Sequence, residues 1–128
     1  MTQVPALSDP DRLTSINLSG NAIADVAGLS SATNVTSLVL KQNALTDFPP
    51  LALPRLLSLD VSLNHIDHFP AALSSLSALT SLVLKANPIA ALTADIAHLS
   101  SLQLLDCSVN QLTALPDAFF QLSLLHTV

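Results

Sequence analysis

The chain has 128 residues, half of them hydrophobic but only 3% aromatic, and four Lys or Arg set against nine acids, all aspartate, for a net charge of −5. That length holds one domain, and four scattered cations, Arg12, Lys41, Arg55 and Lys85, cannot form the basic stripe that neutralises a phosphate backbone, which argues against nucleic acid as a partner. Apolar residues come in threes and fours broken by Ser, Thr, Asp or Lys, far short of the roughly 20 needed to span a bilayer, which argues against membrane insertion.

The opening, Met1-Thr2-Gln3-Val4-Pro5, lacks a charged start followed by an apolar stretch, so the sequence predicts no secretory signal. Val4-Pro5-Ala6-Leu7 then reads as the tail half of a repeat unit. From Leu13 onward one pattern, LxxLxLxxNxL, is written five times, starting at Leu13, Val35, Leu56, Leu79 and Leu102. Its asparagines stand at 21, 43, 64, 87 and 110, so the steps are 22, 21, 23 and 23 residues. Repeats of about 20 to 50 residues signal stacked units that bury their apolar faces on one another rather than around a separate core.

Within a unit, Ser58-Leu59-Asp60-Val61-Ser62 alternates polar and apolar, the period-two mark of a half-buried strand. Strands recurring at a fixed step with no hairpin between them must run parallel, which predicts one curved parallel sheet. Asn21, Asn43, Asn64, Asn87 and Asn110 follow the strands, and an amide carries both donors and an acceptor, so these five are expected to stack as a ladder satisfying backbone groups where the chain leaves the sheet. The outer segments vary. Phe69-Pro70-Ala71-Ala72-Leu73 and Leu115-Pro116-Asp117-Ala118-Phe119 place proline at the start of a short helical turn, and Leu73, Leu76 and Leu79 continue the first at helical spacing. The outer parts of unit one, Asn21 to Leu29, and of unit two, with Pro49, Pro50 and Pro54, are expected to be irregular or 3₁₀-like.

On this motif the chain resembles the leucine-rich repeat family over about residues 4 to 128. The LPxxL-like segments resemble the 23-residue intracellular class that includes Ras-binding scaffolds, and the first unit is similar to the shorter repeats of a protein phosphatase 1 regulatory subunit. The resemblance implies an α/β repeat fold: a leucine-rich repeat solenoid with a curved parallel sheet on its concave face and short helical or irregular segments on its convex face. Residues 1–128 are expected to form a single array with incomplete units at both ends, a sixth copy opening at Leu125 just before Val128. Neither end carries the polar terminal unit that solenoids need, which predicts a piece of a longer repeat protein.

Residues with catalytic or ligand chemistry are sparse. Gly20 and Gly28 are the two glycines, too few to build a phosphate-cradling loop, so no nucleotide cofactor is expected. His65-Ile66-Asp67-His68 gathers ligand-type residues, but Ile66 is a core position and no third ligand adjoins them in the repeat, so two exposed rim histidines are expected rather than a metal site. Cys107 replaces an inward leucine, has no neighbouring base and no partner for a disulfide, which predicts core packing in a reducing, cytoplasmic compartment. The sequons at Asn17 and Asn34 are expected to be bare for want of a signal peptide. No enzyme activity, cofactor or small-molecule substrate is expected.

Two outward positions flank the last strand leucine of each unit: Asn17 and Ser19, Val39 and Lys41, Asp60 and Ser62, Val83 and Lys85, Asp106 and Ser108. They alternate. With strands about 4.8 Å apart, Lys41 and Lys85 should reach Asp60, and Lys85 should reach Asp106. One reading is a solvated sheet with weak surface pairs. The other is a protein-binding strip bordered by Ser15, Ser37, Ser58 and Ser81, with Leu63 and Val109 as further apolar contacts. Candidate contact residues are therefore Asn17, Val39, Lys41, Asp60, Ser62, Val83, Lys85, Asp106 and Ser108. The function expected is a protein–protein interaction module of an intracellular scaffold or regulatory protein. The alternatives are the recognition arm of a larger enzyme, such as a kinase, GTPase or ubiquitin ligase, and an extracellular recognition ectodomain.

Overall fold

A computed structural model describes residues 1–126; Thr127 and Val128, the last residues of the expected sixth copy, lie outside the described residues. Each repeat contributes one three-residue strand: β1 (Ser15–Asn17), β2 (Ser37–Val39), β3 (Ser58–Asp60), β4 (Ser81–Val83) and β5 (Leu104–Asp106). They form one parallel sheet in sequence order. Register is strict: Ile16, Leu38, Leu59, Leu82 and Leu105 stand side by side, as do Asn17, Val39, Asp60, Val83 and Asp106. The leucine row points inward and is buried throughout. Because side chains alternate, the flanking rows must face outward.

The strands end early because the chain turns at one place in every unit. Gly20, Gln42, Leu63, Ala86 and Val109, each immediately before a ladder asparagine, are all left-handed, with φ from 53° to 71°. Glycine adopts this readily, whereas a side-chain-bearing residue there carries about 1–2 kcal/mol of strain. Sheet-like bonds nevertheless continue into the turn: Val61 N–H donates to Val83 O at 3.0 Å and Leu63 N–H to Lys85 O at 2.9 Å.

On the outer side, units one, three, four and five each carry a five-residue 3₁₀ turn: Ala27–Ser31, Ala71–Ser75, Ala94–His98 and Asp117–Gln121. The apolar spacing explains the tight form. Leu73, Leu76 and Leu79 are three apart, the period of a 3₁₀ helix, so all three fall on one side and are buried. Their amides follow the same step, Leu73 N–H to Pro70 O, Leu76 N–H to Leu73 O and Leu79 N–H to Leu76 O, each 3.0 Å. Unit one makes the equivalent chain through Leu29, Ala32 and Val35, so it resembles units three to five in conformation despite its different sequence. Unit two, with Pro49, Pro50 and Pro54, has no 3₁₀ helix: Leu53 N–H reaches back only two residues to Leu51 O, and the three-residue step survives once, from Leu56 N–H to Leu53 O, both 3.1 Å. Proline lacks the N–H that continues such a turn.

The first residues lie against unit one. Ala22 N–H donates to Met1 O at 2.9 Å and Ala24 N–H to Thr2 O at 3.1 Å, while Gln3 bridges Asp25 in parallel. Ala44 N–H donates to Ile23 O in the same way, so Met1 stands where Ile23 stands one rung later. Val4 packs on Gly28, where an added Cβ would meet the Val4 Cβ at 3.3 Å. Among the described residues, no helix is long and apolar enough to cross a membrane.

Candidate functional site

The asparagine ladder fixes the geometry on which the concave face rests. Asn64 Oδ1 accepts from Leu45 N–H of the preceding unit at 3.0 Å, and its Nδ2 donates to Leu40 O, Val61 O and Ser62 O at 3.1, 2.9 and 3.1 Å. Asn43, Asn87 and Asn110 repeat the scheme, accepting from Ile23, Ile66 and Ile89. One amide thus ties its own turn to the previous rung. Asn21 makes only the local half, donating to Leu18 O and Ser19 O at 2.9 and 3.3 Å. Every fully buried polar side-chain atom among the described residues has a partner.

The two outward columns are ordered by a local motif rather than by ion pairs. In rungs one, three and five, Asn17, Asp60 and Asp106 each turn Oδ1 onto the serine two residues later. Asp60 Oδ1 accepts from Ser62 N–H at 2.9 Å and from Ser62 Oγ–H at 2.6 Å. Asp106 and Ser108 match this at 3.0 and 2.6 Å, and Asn17 and Ser19 at 3.0 and 2.7 Å. Such Asx turns are a local property of aspartate and asparagine. The Ser108 hydroxyl, then its amide, and then the more distant Lys85 charge hold the Asp106 carboxyl below its ordinary value.

The expected Lys–Asp pairing is not what the structure holds. Among the described residues no ion pair joins Lys41 or Lys85 to Asp60 or Asp106; the pairs present are His68 with Asp47 and Asp67, and His98 with Asp95. The reason is register. Each lysine stands one column beyond the acids, abreast of Ser62 and Ser108, and a carboxylate bonded within its own rung has less to gain from a flexible ammonium group in water.

Of the candidate contact residues, Lys41, Lys85, Asn17 and Ser108 are exposed and Val39, Asp60, Val83 and Asp106 partly exposed. Ser62 is buried at 4% exposure, so it serves the surface through Asp60 rather than by contact. Leu63 and Val109 are exposed but belong to the left-handed turns, outside the strand columns. That left-handed column was not read from the sequence, where Gly20 alone signals it, and neither was the Asx-x-Ser spacing at 17, 60 and 106.

On the rim beyond the ladder, His68 spends both ring nitrogens on carboxylates, Nδ1 to Asp67 at 2.6 Å and Nε2 to Asp47 of the preceding unit at 3.3 Å. His65 is exposed beside it. Cys107 is half-buried, and burial followed by the charge of Asp106 pushes its thiol up, opposite to what a nucleophile requires.

Residues 33–89 match the leucine rich repeat family. Among solved structures, the chain is similar to a leucine-rich repeat protein of Leptospira interrogans, at 31% identity and TM-score 0.86 over 92% of this chain and 31% of that one. It is also similar to internalin C2 of Listeria monocytogenes, at 27% identity and TM-score 0.85 over 93% of this chain and 52% of that one. A second Listeria monocytogenes internalin matches at 25% identity and TM-score 0.82, over 91% of this chain and 34% of that one. The chain therefore spans about a third to a half of these relatives' length. Five in-register strands, an asparagine ladder and these matches give the chain the fold of a leucine-rich repeat solenoid.

Proposed function

We propose that this array is a non-enzymatic protein-binding module whose binding surface is the concave strand face, serving an intracellular scaffold or regulatory protein. The observation that carries this is the pair of outward columns themselves. Rigid strands hold Val39, Asp60, Val83 and Asp106 in one row and Lys41 and Lys85 in the next, with the acids and lysines unpaired to each other. Unpaired charges on a fixed lattice give specificity, because a partner meeting the wrong sign loses several kcal/mol, on the order of 2–5. The intracellular setting rests on the unpaired thiol of Cys107, which suits a reducing compartment.

Reversal of Lys41 and Lys85 to glutamate tests the binding face. The four charges of the strip, two lysines and two aspartates, then go from a sum of zero to four negative while the inward leucines stay in place. Affinity capture from the source cytosol should lose its specific partner with the double variant, and the melting temperature should change little. A folded double variant that still recovers the same partner would move the binding surface off the strand face.

A further inference from the structure

The alternation on the concave face has a length scale, and we infer that it fits one α-helix of a protein partner lying across the strands, with apolar and cationic residues at alternate turns. This rests on the strand face being the binding surface. The row Val39, Asp60, Val83, Asp106 changes character at every rung, apolar then acidic then apolar then acidic. Rungs of a parallel sheet are about 4.8 Å apart, and one turn of an α-helix rises about 5.4 Å, so a helix tilted by roughly 25° delivers one turn to each rung.

The other regular backbones fail this match. An extended strand returns a side chain to the same face every two residues, about 6.6 Å, so keeping step would need a tilt of roughly 43° and would carry it about 4.5 Å off the row per rung, roughly twice the drift of the helix. A polyproline helix returns every three residues, about 9.3 Å, so it meets alternate rungs and leaves either the valines or the aspartates untouched. An α-helix meets all four through positions i, i+4, i+7 and i+11.

Charge sets which residues stand there. Asp60 and Asp106 each have Oδ1 fixed by serine, so the carboxylate is already oriented and loses little freedom on accepting a cation. The partner thus reads apolar at i, Arg or Lys at i+4, apolar at i+7 and Arg or Lys at i+11. Acidic groups on the helix flank would meet Lys41 and Lys85 in the neighbouring column. Rung one carries Asn17 in place of an acid, so it adds no third cation requirement.

The test uses two synthetic 18-residue helical peptides of identical composition, binding to the purified chain followed by fluorescence anisotropy. In one, Leu, Arg, Leu and Arg occupy the four positions; in the other, Leu, Leu, Arg and Arg occupy the same four. A third probe is a polyproline peptide with arginine at every third residue. The protein variant is the double substitution Asp60→Asn, Asp106→Asn, which should keep both turns because Asn17 already makes that turn with Ser19. The alternating peptide is expected to bind at least tenfold more tightly than the blocked one, and the double variant to abolish that difference. Equal binding of the two helices, tighter binding of the polyproline peptide, or a difference that survives the double variant overturns the helix inference. If all peptides bind weakly while Lys41 and Lys85 reversal still removes the captured partner, the helix inference falls and the strand-face reading stands. If neither experiment responds, both fall.

Discussion

Units four and five carry the same word and fold to the same trace, yet they are not equally buried. Leu84, Ile89 and Leu92 of unit four are buried, while the residues in the same three places of unit five, Cys107, Leu112 and Leu115, are half-buried or exposed. Phe119 is partly open and Phe120 is 74% exposed, the two rings meeting edge to face with centroids 5.6 Å apart. Unit one, at the opposite end of the sheet, is better covered. Residues 1–4 lie along its descending segment, and Ile23, Val26 and Leu29 are buried. The lesson concerns where stability resides in a repeat chain. Local sequence sets the conformation of a rung, and its neighbours on both sides supply the free energy.

The sharpest way to break this comparison is along the ladder. Asn64 has neighbours on both sides and joins two rungs; Asn21 bonds within its own turn. Truncating Asn64 to alanine strands the buried Leu45 N–H and takes one of two donors from each of the Leu40, Val61 and Ser62 carbonyls, which keep Asn43 Nδ2, Asn87 Nδ2 and Gln42 N–H, a loss expected at about 2 kcal/mol, whereas Asn21→Ala should cost under about 1 kcal/mol. Urea denaturation of the two variants measures both. Similar midpoints would show that the ladder asparagines act within their own turns.

The next effect comes from strain. Val109 is β-branched, 70% exposed and left-handed at φ 53°, so its side chain contributes little packing to offset an unfavourable backbone. Asparagine tolerates this region, and Val109→Asn should raise stability by about 1 kcal/mol. Thermal melts decide the sign. A lower melting temperature would mean that the Val109 side chain has a packing role that its exposure conceals.

The parts legible in the sequence were those written as periodicity. Five strands, their parallel order and register, and the asparagine ladder follow from recurrences at Leu59, Val61 and Asn64 and their equivalents, because burial imposes the repeat. The convex segments were half legible. Leu73, Leu76 and Leu79 announced an apolar stripe, but the three-residue step needed to be taken literally to distinguish 3₁₀ from α. The lysine–aspartate pairs were misjudged because strand spacing alone says nothing of which partner a carboxylate prefers, and Ser62 and Ser108 are nearer than any lysine. The left-handed turns were silent in four of five units because Gln42, Leu63, Ala86 and Val109 carry no common side-chain signal.

The smallest expected effect lies on the rim between units two and three. The Asp67 hydrogen bond, then the charges of Asp47 and Asp67, raise the His68 imidazole above its ordinary value. Bonding to His68 in turn lowers the Asp67 carboxyl. A raised histidine value means that the folded chain holds the proton more tightly than the unfolded chain. That contribution is complete below the ordinary histidine value of 6.5 and fades as pH rises through the higher folded value. For Asp67 the sense reverses: its contribution is present above 3.8 and fades as pH falls through the depressed folded value. The pair is therefore most effective between those limits, and because both groups are exposed its effect on stability should be slight. The ring resonances of His68, followed by NMR against pH, should titrate above the ordinary value. Asp67→Asn should lower that midpoint most. Asp47→Asn should lower it less, since Asp47 Oδ1 also accepts from its own Phe48 N–H at 2.7 Å and sits 3.3 Å from the ring. If Asp47→Asn leaves the midpoint untouched, the bridge from unit two to unit three carries no charge coupling, and the rungs communicate through their backbones and asparagines alone.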